Sequence, residues 1–284
     1  MNIELRVSIT GSDGFIGSWL KNRLSENGIE VRTLNRAKED LLRPTTLKEF
    51  VSGSSVVLHF AGKNRASDCE LYESNTAATL GLVKACELFG SKPMKMIYAS
   101  SMQVYAPMSN WDPIDEDHPV SYESAFSNSK LFAESVLQKW TDAGTITGII
   151  MRIANTYGPG CRPYYNSVIA TFLDRARKAQ NLEVNGGSQS RDFIFVSDVV
   201  DAAISLIRHD MSGFHVFNIA TGKPTTILQV AQEVNRLYPN ISIDLKETND
   251  APKHIVGDAR RAQEEFGFKA SIGIRDGIKK SLLS

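Results

Sequence analysis

A glycine-rich run near the start of the chain has the composition of a phosphate-binding turn. Residues 10–17 read TGSDGFIG, directly after the apolar run Val7–Ile9 and before a helix-like segment. Glycines let the backbone approach a pyrophosphate closely, and the free N–H groups of the following helix bind the anion. A glycine-rich turn without a ligand is the alternative, but the strand before and the helix after it favour dinucleotide binding. The predicted cofactor contacts in this run are Gly11, Asp13, Gly14, Phe15, Ile16 and Gly17.

The end of the second predicted strand indicates which dinucleotide is bound. NAD sites usually place Asp or Glu there to hold the ribose 2′-hydroxyl, whereas this chain has Asn35 and Arg36. No carboxylate at this position repels a 2′-phosphate, and the Arg36 guanidinium suits one, so NADP(H) is favoured over NAD. The alternative is that Arg36 is a solvated surface charge. Asp40 and Leu41 either contact the adenine or belong to the start of a helix.

Phe126 and Lys130 lie four residues apart in a helix-like segment. Side chains at this spacing meet on one helical face, so a Tyr/Lys pair here can share a proton with a substrate oxygen. Phenylalanine has no proton to share. The spacing therefore points to acid–base chemistry while the hydroxyl that would perform it is absent.

Short apolar runs that alternate with amphipathic stretches must position these residues. This alternation predicts right-handed βαβ units and an α/β fold with a doubly wound parallel sheet of the Rossmann type. The predicted strands are Val7–Ile9, Val31–Leu34, Val56–Phe60, Met96–Ala99 and Ile146–Ile153.

The alternation of strand-like and helix-like segments becomes irregular after residue 160, which predicts a smaller C-terminal substrate-binding lobe. Helices are predicted over Ser167–Gln180 and Ile227–Leu237, and a short strand over Leu182–Val184. We expect residues 1–160 to form the dinucleotide-binding domain, with 193–220 returning to it, and 161–192 with 221–284 to form the lobe.

The composition excludes several classes of partner. The 284 residues are 42% hydrophobic and 23% charged with zero formal net charge, which favours neither nucleic acid nor a membrane surface. Three scattered cysteines and the absence of a signal-peptide pattern predict free thiols and a cytoplasmic protein. The histidines show no ligand spacing with carboxylates or cysteines, so no metal site is expected.

Six further motifs follow the glycine run in order. They are Val57-Leu-His-Phe60-Ala61-Gly62, Asn75-Thr-Ala-Ala-Thr79, Tyr98-Ala-Ser-Ser101, Phe126-Ser-Asn-Ser-Lys130, Arg152-Ile-Ala-Asn155 and Arg191-Asp192-Phe-Ile-Phe-Val-Ser-Asp198. Together they resemble the extended short-chain dehydrogenase/reductase family, and more narrowly the branch that acts on nucleotide-diphosphate sugars, and the resemblance extends to the C-terminus. The resemblance adds Phe60, Ala61, Gly62 and Lys130 to the expected cofactor contacts.

The resemblance also implies the catalytic positions. Ser101 would hydrogen-bond the sugar oxygen that is oxidised or reduced, and Lys130 would bind the nicotinamide ribose and lower the pKa of a neighbouring tyrosine. The family tyrosine corresponds to Phe126, where the pattern breaks. Three explanations stay open: a deliberate Tyr→Phe change that traps ligands, a natural member using another acid or water, or a lineage that has lost catalysis. Tyr122, about 12 Å away along a helix, is not expected to replace the tyrosine.

Substrate contacts follow from the same resemblance. Asn155 and Arg191 correspond to residues that bind the diphosphate, for which a guanidinium is well suited. The alternative for Arg191 is a structural ion pair with Asp192 or Asp198.

Two further segments carry charge near these motifs. Lys253 or His254 would supply a second basic substrate contact, unless both form an exposed, solvated pair. The acidic loop over residues 112–117 is expected to be solvated.

The resemblance, together with the NADP-type site, implies reduction of a nucleotide-diphosphate 4-keto-6-deoxy sugar by NADPH, impaired by Phe126. An epimerase is the main alternative. A 4,6-dehydratase is less favoured because Met102 and Gln103 stand where that subgroup has an Asp-Glu pair. A non-catalytic nucleotide-sugar-binding protein is the alternative from another class. By resemblance, the helices Thr76–Phe89 and Ser129–Trp140 would pair in a homodimer.

Overall fold

The computed structural model describes residues 5–165, 167–248 and 253–282. The chain folds into two compact units. The first comprises Met1–Val104, Ser121–Arg152 and Val200–Phe217, and the second comprises Tyr105–Val120, Ile153–Val199 and Asn218–Ser284. The division at residue 160 into a dinucleotide-binding domain and a substrate lobe stays a prediction, since a compact unit need not coincide with a ligand-binding domain.

A six-stranded parallel sheet organises the first unit, which confirms the predicted fold class. Its strands are β1 Arg6–Thr10, β2 Glu30–Thr33, β3 Val56–His59, β4 Met94–Ser101, β5 Ile146–Ile153 and, numbered in chain order, β9 Phe214–Ile219. All five strands predicted from the sequence are present. The spatial order is β2-β1-β3-β4-β5-β9, so the chain leaves β1 towards one side and β3 lies on the other. The switch point between the carboxyl ends of β1 and β3 is where ligands bind in such sheets.

The helices of the first unit are α1 Phe15–Glu26, α2 Lys48–Val51, α3 Asp68–Leu71, α4 Ala78–Phe89 and α5 Ala125–Asp142, and α7 Val196–Arg208 begins in the second unit and continues in the first. The fully buried core between the sheet and α2, α4 and α5 includes Phe50, Leu82, Met96 and Leu137. Gly81 permits close packing here, because a Cβ at this position would lie 1.9 Å from the Leu41 carbonyl oxygen.

One helix of the first unit contains a π turn. Residues Tyr72–Ala77 join α3 to α4 with this wider winding, and the buried Asn75 lies inside it. Such turns occur frequently at functional sites.

Smaller sheets form the second unit. Its strands are β6 Asn155–Tyr157, β7 Leu182–Asn185, β8 Ser190–Phe195, β10 Pro224–Thr226 and β11 Ile243–Lys246, and its helices are α6 Val168–Arg177, α8 Ile227–Leu237, α9 Arg260–Phe266 and α10 Ile274–Lys280. The order is β10-β8-β6 in one sheet and β11-β7 in the other. Both predicted helices and the strand at Leu182 are present in this unit.

Candidate functional site

The glycine run forms a tight turn between β1 and α1. The Gly14 N–H donates to the Gly11 carbonyl at 2.9 Å, and Gly11 has a φ of +74°. A Cβ on Gly17 would lie 2.0 Å from the Gly11 oxygen, so only glycine lets the helix start so close to the turn. No side chain caps the first turn of α1, whose N-cap is Gly14. Asp13, Phe15 and Ile16 lie in this segment, so the turn has the form that a pyrophosphate requires.

The end of β3 lies directly against this turn. A Cβ on Gly11 would lie 2.6 Å from the Ala61 nitrogen, and the Ala61 N–H donates to Thr10 Oγ1 at 3.2 Å. A Cβ on Gly62 would lie 2.4 Å from Asn75 Oδ1 and 3.5 Å from Lys130 Nζ. The predicted contacts of the glycine turn and of the β3 loop are thus brought together with Lys130. The cradle is lined by backbone, as a dinucleotide site needs to be.

Beyond β2, the chain makes a turn that contains Asn35 and Arg36. Glu39, which the sequence interpretation passed over, folds back so that its carboxylate accepts the Asn35 N–H at 2.6 Å, and its side chain is buried. Arg36 is exposed and has no ion-pair partner among the described residues. This turn therefore does contain a carboxylate, that of Glu39, but the carboxylate already accepts a hydrogen bond from the backbone of the turn.

Asp40 and Leu41 lie in the loop that follows. The Asp40 carboxylate accepts the Leu42 N–H at 2.9 Å, which is a local turn bond. The Leu41 carbonyl lies beside Gly81 of α4. These contacts leave the predicted adenine contact a prediction.

Lys130 is buried on α5 with an unusual set of neighbours. Its ammonium donates to the Ala99 carbonyl at 2.8 Å and lies 4.8 Å from the centroid of the Tyr98 ring. Burial lowers the pKa of Lys130 to about 8, and the nearby Glu134 carboxylate opposes that shift. No carboxylate forms an ion pair with this ammonium among the described residues. The cation is therefore held beside the β3 loop with donor capacity to spare.

Ser101 ends β4, two residues after Ala99 on the same face of the strand. Its hydroxyl accepts the Gln103 N–H at 3.2 Å and is half-buried. Phe126 lies in the first turn of α5, one turn before Lys130. The first unit thus brings Ser101 and Lys130 to adjoining elements, and Phe126 stands at the sequence position where the resemblance expects a tyrosine.

The position of Tyr122 corrects one step of the sequence interpretation. The helix α5 begins at Ala125 with Ser124 as its N-cap, so Tyr122 lies in the preceding loop and its 12 Å separation along a helix does not apply. The Tyr122 side chain is 59% exposed. It therefore does not occupy the position of the missing tyrosine in this structure.

A buried row of hydrogen bonds that sequence reasoning missed runs behind the β3 loop. Thr10 Oγ1 and His59 Nδ1 are 2.7 Å apart, and His59 Nε2 and Thr79 Oγ1 are 2.9 Å apart. The Thr79 hydroxyl donates to the Asn75 carbonyl. Burial lowers the pKa of His59 to about 3, with the Lys130 charge as a second cause, so the imidazole is neutral.

The donors fix the direction of this row. Since the Thr79 proton is given to Asn75, His59 must donate from Nε2, and its Nδ1 accepts the Thr10 proton. Thr10 in turn accepts the Ala61 N–H. The side chain of Asn75 continues the network, donating to the Lys63 carbonyl and to Ser129 Oγ, both at 2.9 Å. The β3 loop and α5 are thereby tied to the π turn.

Arg191, in the second unit, is the strongest candidate for anion binding. Its Nη1 donates to the carbonyls of Ser190 at 2.8 Å and Lys253 at 2.6 Å. The two aspartates considered as ion-pair partners are occupied elsewhere, because Asp192 accepts from Thr221 and Gly222 and Asp198 accepts from Ser271 and Ile272. The alternative of a structural ion pair is therefore wrong for the described residues. Burial lowers the pKa of Arg191, which marks a charge with little solvation.

Three other predicted positions lie near Arg191 in this unit. Asn155 lies on β6, which pairs with β8, and its backbone partner there is Phe193. His254 is not part of an exposed pair, because it is 4% exposed and its Nδ1 lies 2.7 Å from Ser190 Oγ. Lys253 contributes a carbonyl, and not an ammonium, to the Arg191 contacts.

The acidic loop is only partly solvated, contrary to the sequence interpretation. Glu116 is buried, and its carboxylate accepts the Asn218 N–H at 2.7 Å. Arg261 lies 3.4 Å from the same carboxylate. Burial raises the pKa of Glu116. Glu116 therefore fixes the loop within the second unit, while Asp112, Asp115 and Asp117 are exposed.

Two classes of feature are absent from the described ranges. No group of three or more His, Cys, Asp or Glu side chains there is arranged to hold a metal ion. Among the same residues, no helix combines the length and the apolar character needed to cross a membrane. The three cysteines are free.

The parallel sheet with a glycine turn at its switch point defines a dinucleotide-binding protein of the Rossmann class. A model of the NAD dependent epimerase/dehydratase family matches residues 7–220. The chain belongs to this family, which confirms the family predicted from the sequence motifs.

Individual relatives are similar along nearly the whole chain. A protein named putative UDP-glucose 4-epimerase from Methanocaldococcus jannaschii is 27% identical over 307 residues, covering 96% of each chain. UDP-glucuronic acid decarboxylase 5 from Arabidopsis thaliana is 26% identical, covering 97% of this chain and 87% of the relative.

Solved structures show the same fold. A UDP-glucose 4-epimerase from Thermotoga maritima with UDP-glucose has a TM-score of 0.89 at 23% identity, covering 98% of each chain. RMD from Pseudomonas aeruginosa complexed with NADPH has a TM-score of 0.86 at 25% identity, covering 98% of this chain and 97% of that one. The family and its fold are thereby established for this chain.

Proposed function

We propose that this chain binds NADP(H) and a nucleotide-diphosphate sugar, and that its reaction is reduction of a 4-keto-6-deoxy sugar, impaired by Phe126. The observation that carries the proposal is the buried Lys130 ammonium, held by a backbone carbonyl beside a glycine-lined loop and not ion-paired with any described carboxylate. Such a cation costs solvation free energy, which a bound ligand with hydroxyl acceptors recovers. The bound dinucleotide would supply the hydride.

The residues of this chain divide the remaining work. Ser101 would donate a hydrogen bond to the substrate carbonyl and orient it. Lys130 would bind the nicotinamide ribose hydroxyls. Phe126 preserves the shape of a tyrosine ring but lacks the hydroxyl that would protonate the developing alkoxide. We therefore expect binding of both ligands with slow turnover.

The positions of Glu39 and Arg36 in the turn after β2 support binding of NADP(H) over NAD. Glu39 carries the carboxylate of this turn, and it accepts the backbone N–H of Asn35 at 2.6 Å. This carboxylate is buried, and its charge is offset by the Asn35 N–H and by Arg32 Nη2 at 3.8 Å, so it would repel a 2′-phosphate less than the free carboxylate of an NAD site. Arg36, exposed and without an ion-pair partner in the described ranges, offers a bidentate site for a 2′-phosphate.

The environment of Arg191 supports a diphosphate substrate. Within the described part of the chain its guanidinium bonds to backbone carbonyls, so its charge is not neutralised by the aspartates that follow it in sequence. Arginine recognises phosphate oxygens by paired, charge-assisted hydrogen bonds. Asn155 and Lys253 are proposed as further substrate contacts.

Two other functions have specific support. Epimerization is favoured by the name of the Methanocaldococcus relative, a putative UDP-glucose 4-epimerase. Sugar-nucleotide binding without catalysis is favoured by Phe126 itself. A 4,6-dehydratase has less support, since Met102 and Gln103 follow Ser101.

Restoring the hydroxyl tests the proposal. Phe126→Tyr should accelerate loss of NADPH absorbance with a panel of keto-sugar nucleotides by about 10²-fold or more, the usual contribution of a general acid. The double variant Phe126→Tyr/Lys130→Met is the matched control and should stay slow. If Phe126→Tyr consumes no NADPH but interconverts sugar nucleotides, the epimerase alternative holds. If it binds both ligands and does neither, the non-catalytic alternative holds.

A homodimer is proposed from the helices α4 and α5. Leu80, Leu88 and Phe132 on these helices are 39%, 58% and 46% exposed. Large exposed apolar side chains on neighbouring helices favour association, and a second copy of this chain is the partner expected by resemblance. Light scattering should report twice the chain mass, and Leu88→Glu/Phe132→Glu should report the monomer.

A further inference from the structure

A buried ion pair lies immediately behind Lys130. Arg152 at the end of β5 donates from Nη2 to Glu134 Oε2 at 2.7 Å, and its Nε lies 3.3 Å from both carboxylate oxygens. Both side chains are below 10% exposed, at 9% and 7%. The Ser100 hydroxyl donates to the other oxygen, Glu134 Oε1. The carboxylate is therefore enclosed by donors from two strands.

This pair connects the two elements that carry the predicted catalytic positions. Glu134 follows Lys130 by four residues on α5, so the two side chains lie on one face of the helix, about 5–6 Å apart at Cβ. Ser100 precedes Ser101 on β4. A single carboxylate thus fixes the end of β4 against α5 while placing a negative charge one turn from the buried ammonium.

We propose that Glu134 is a positioning residue that keeps Lys130 in its charged form and, through Ser100, aligns Ser101 with Lys130. Arg152 supports it by holding the carboxylate in place. The inference deepens the proposed function, because the charged lysine is what would bind the dinucleotide ribose.

The other groups facing Lys130 do not supply this charge. On β4, Tyr98 presents its ring and Ala99 its carbonyl. On β3, His59 is neutral, since burial lowers its pKa to about 3. Glu134 is the carboxylate whose attraction opposes the loss of the Lys130 proton on burial. Removing its charge should therefore lower the pKa of Lys130 below its value of about 8.

The test is a carbon-13 NMR titration of the lysine side chains, with Lys130 assigned from the spectrum of Lys130→Met. We expect the Lys130 midpoint to fall by about one pH unit in Glu134→Gln, the low end of the effect of an opposite charge at this range. The matched control is Glu87→Gln, which removes a partly exposed carboxylate paired with Lys84 and should leave the midpoint unchanged. Because Glu134→Gln removes the carboxylate that faces the buried Arg152, it can destabilise the fold. Glu134→Gln/Arg152→Met is therefore compared with Arg152→Met alone, because these two proteins differ only in the Glu134 charge, and the Lys130 midpoint should again be about one unit lower in the protein that lacks this charge.

Dinucleotide binding provides the second measurement. Affinity should decline as pH rises through the midpoint of Lys130, and this decline should begin about one unit lower in Glu134→Gln than in the parent protein. The inference is overturned if the Lys130 midpoint is unchanged in folded Glu134→Gln relative to the parent and in the folded double variant relative to Arg152→Met. If the midpoint falls but Lys130→Met binds the dinucleotide with parental affinity and pH dependence, the assigned role of Lys130 in the proposed function is wrong while the role of Glu134 stands.

Discussion

Replacing Gly17 with alanine should have two opposing effects on stability, a gain in helix propensity and a steric clash with the backbone of Gly11. Gly17 lies inside α1, where alanine is intrinsically favoured over glycine by about 1 kcal/mol. Its new Cβ, however, would lie 2.0 Å from the Gly11 carbonyl oxygen and 2.7 Å from the Gly11 carbonyl carbon. That is roughly 1.5 Å closer than the optimal separation of non-bonded atoms. Both neighbours are backbone, so no side-chain rotation relieves the contact.

We therefore expect the clash to exceed the gain in helix propensity. Overpacking of a tight site costs about 1–3 kcal/mol, so the variant should unfold at a lower denaturant concentration than the parent. The turn must also open, which displaces the N–H groups that would hold a pyrophosphate. A loss of about 1.4 kcal/mol of binding free energy corresponds to tenfold in affinity, and we expect at least that loss for NADPH.

Urea unfolding and calorimetric titration with NADPH measure the two effects on the same protein. Ser25→Ala is the matched control, because Ser25 is exposed on the same helix and gains propensity without a clash. It should be as stable as the parent to within about 0.5 kcal/mol and bind NADPH equally. A Gly17→Ala protein that is as stable as Ser25→Ala and retains parental affinity would refute the reasoning for the turn.

Three further outcomes are expected. Arg191→Ala should weaken binding of a nucleoside-diphosphate sugar at least tenfold by calorimetry, and Arg191→Lys should recover only part of this affinity. Arg260→Ala replaces an exposed arginine and should leave the affinity unchanged. Equal affinity of all three variants would contradict the assignment of Arg191 as a phosphate ligand. Arg36→Ala should weaken NADPH but not NADH, and an equal loss of both would remove its role in selectivity. Between pH 6.5 and about 3, His59 is protonated in the unfolded chain but neutral in the folded one, so the free energy of unfolding should fall by about 1.4 kcal/mol per pH unit as the pH is lowered. His59→Gln should flatten this pH dependence in urea unfolding. An unchanged slope would contradict a neutral, buried His59.

The sequence predicted the parallel sheet because each strand carries a local signal. The strand Ile146–Ile153 and the helix Ile227–Leu237 have the predicted bounds, since one is a short run rich in isoleucine and the other is amphipathic with a Thr226 cap. The glycine turn is equally local, because its three glycines and its flanking elements are contiguous in the chain.

Features that depend on distant partners were not predictable. Glu116 lies in a run of acidic residues, which is typical of a solvated loop. Its burial depends on Asn218, which is 102 positions away in the sequence. His59 gave no signal beyond a polar residue in an apolar strand. Its partners come from β1 and α4, so only the register of the sheet brings the row together. The occupied carboxylate of Glu39 was overlooked because it folds back across a turn.

The row of hydrogen bonds behind the β3 loop has a single donor-to-acceptor direction, and this makes the His59 Nε2 proton a probe of the folded structure. Backbone groups close the row at both ends, with the Ala61 amide as first donor and the Asn75 carbonyl as last acceptor. The imidazole of His59 therefore exists as a single tautomer that can neither flip nor exchange its Nε2 proton without breaking a buried bond. That proton should give one sharp, slowly exchanging NMR resonance at neutral pH. Its presence in any variant would show, without ligand or substrate, that the edge of the sheet facing the dinucleotide is intact.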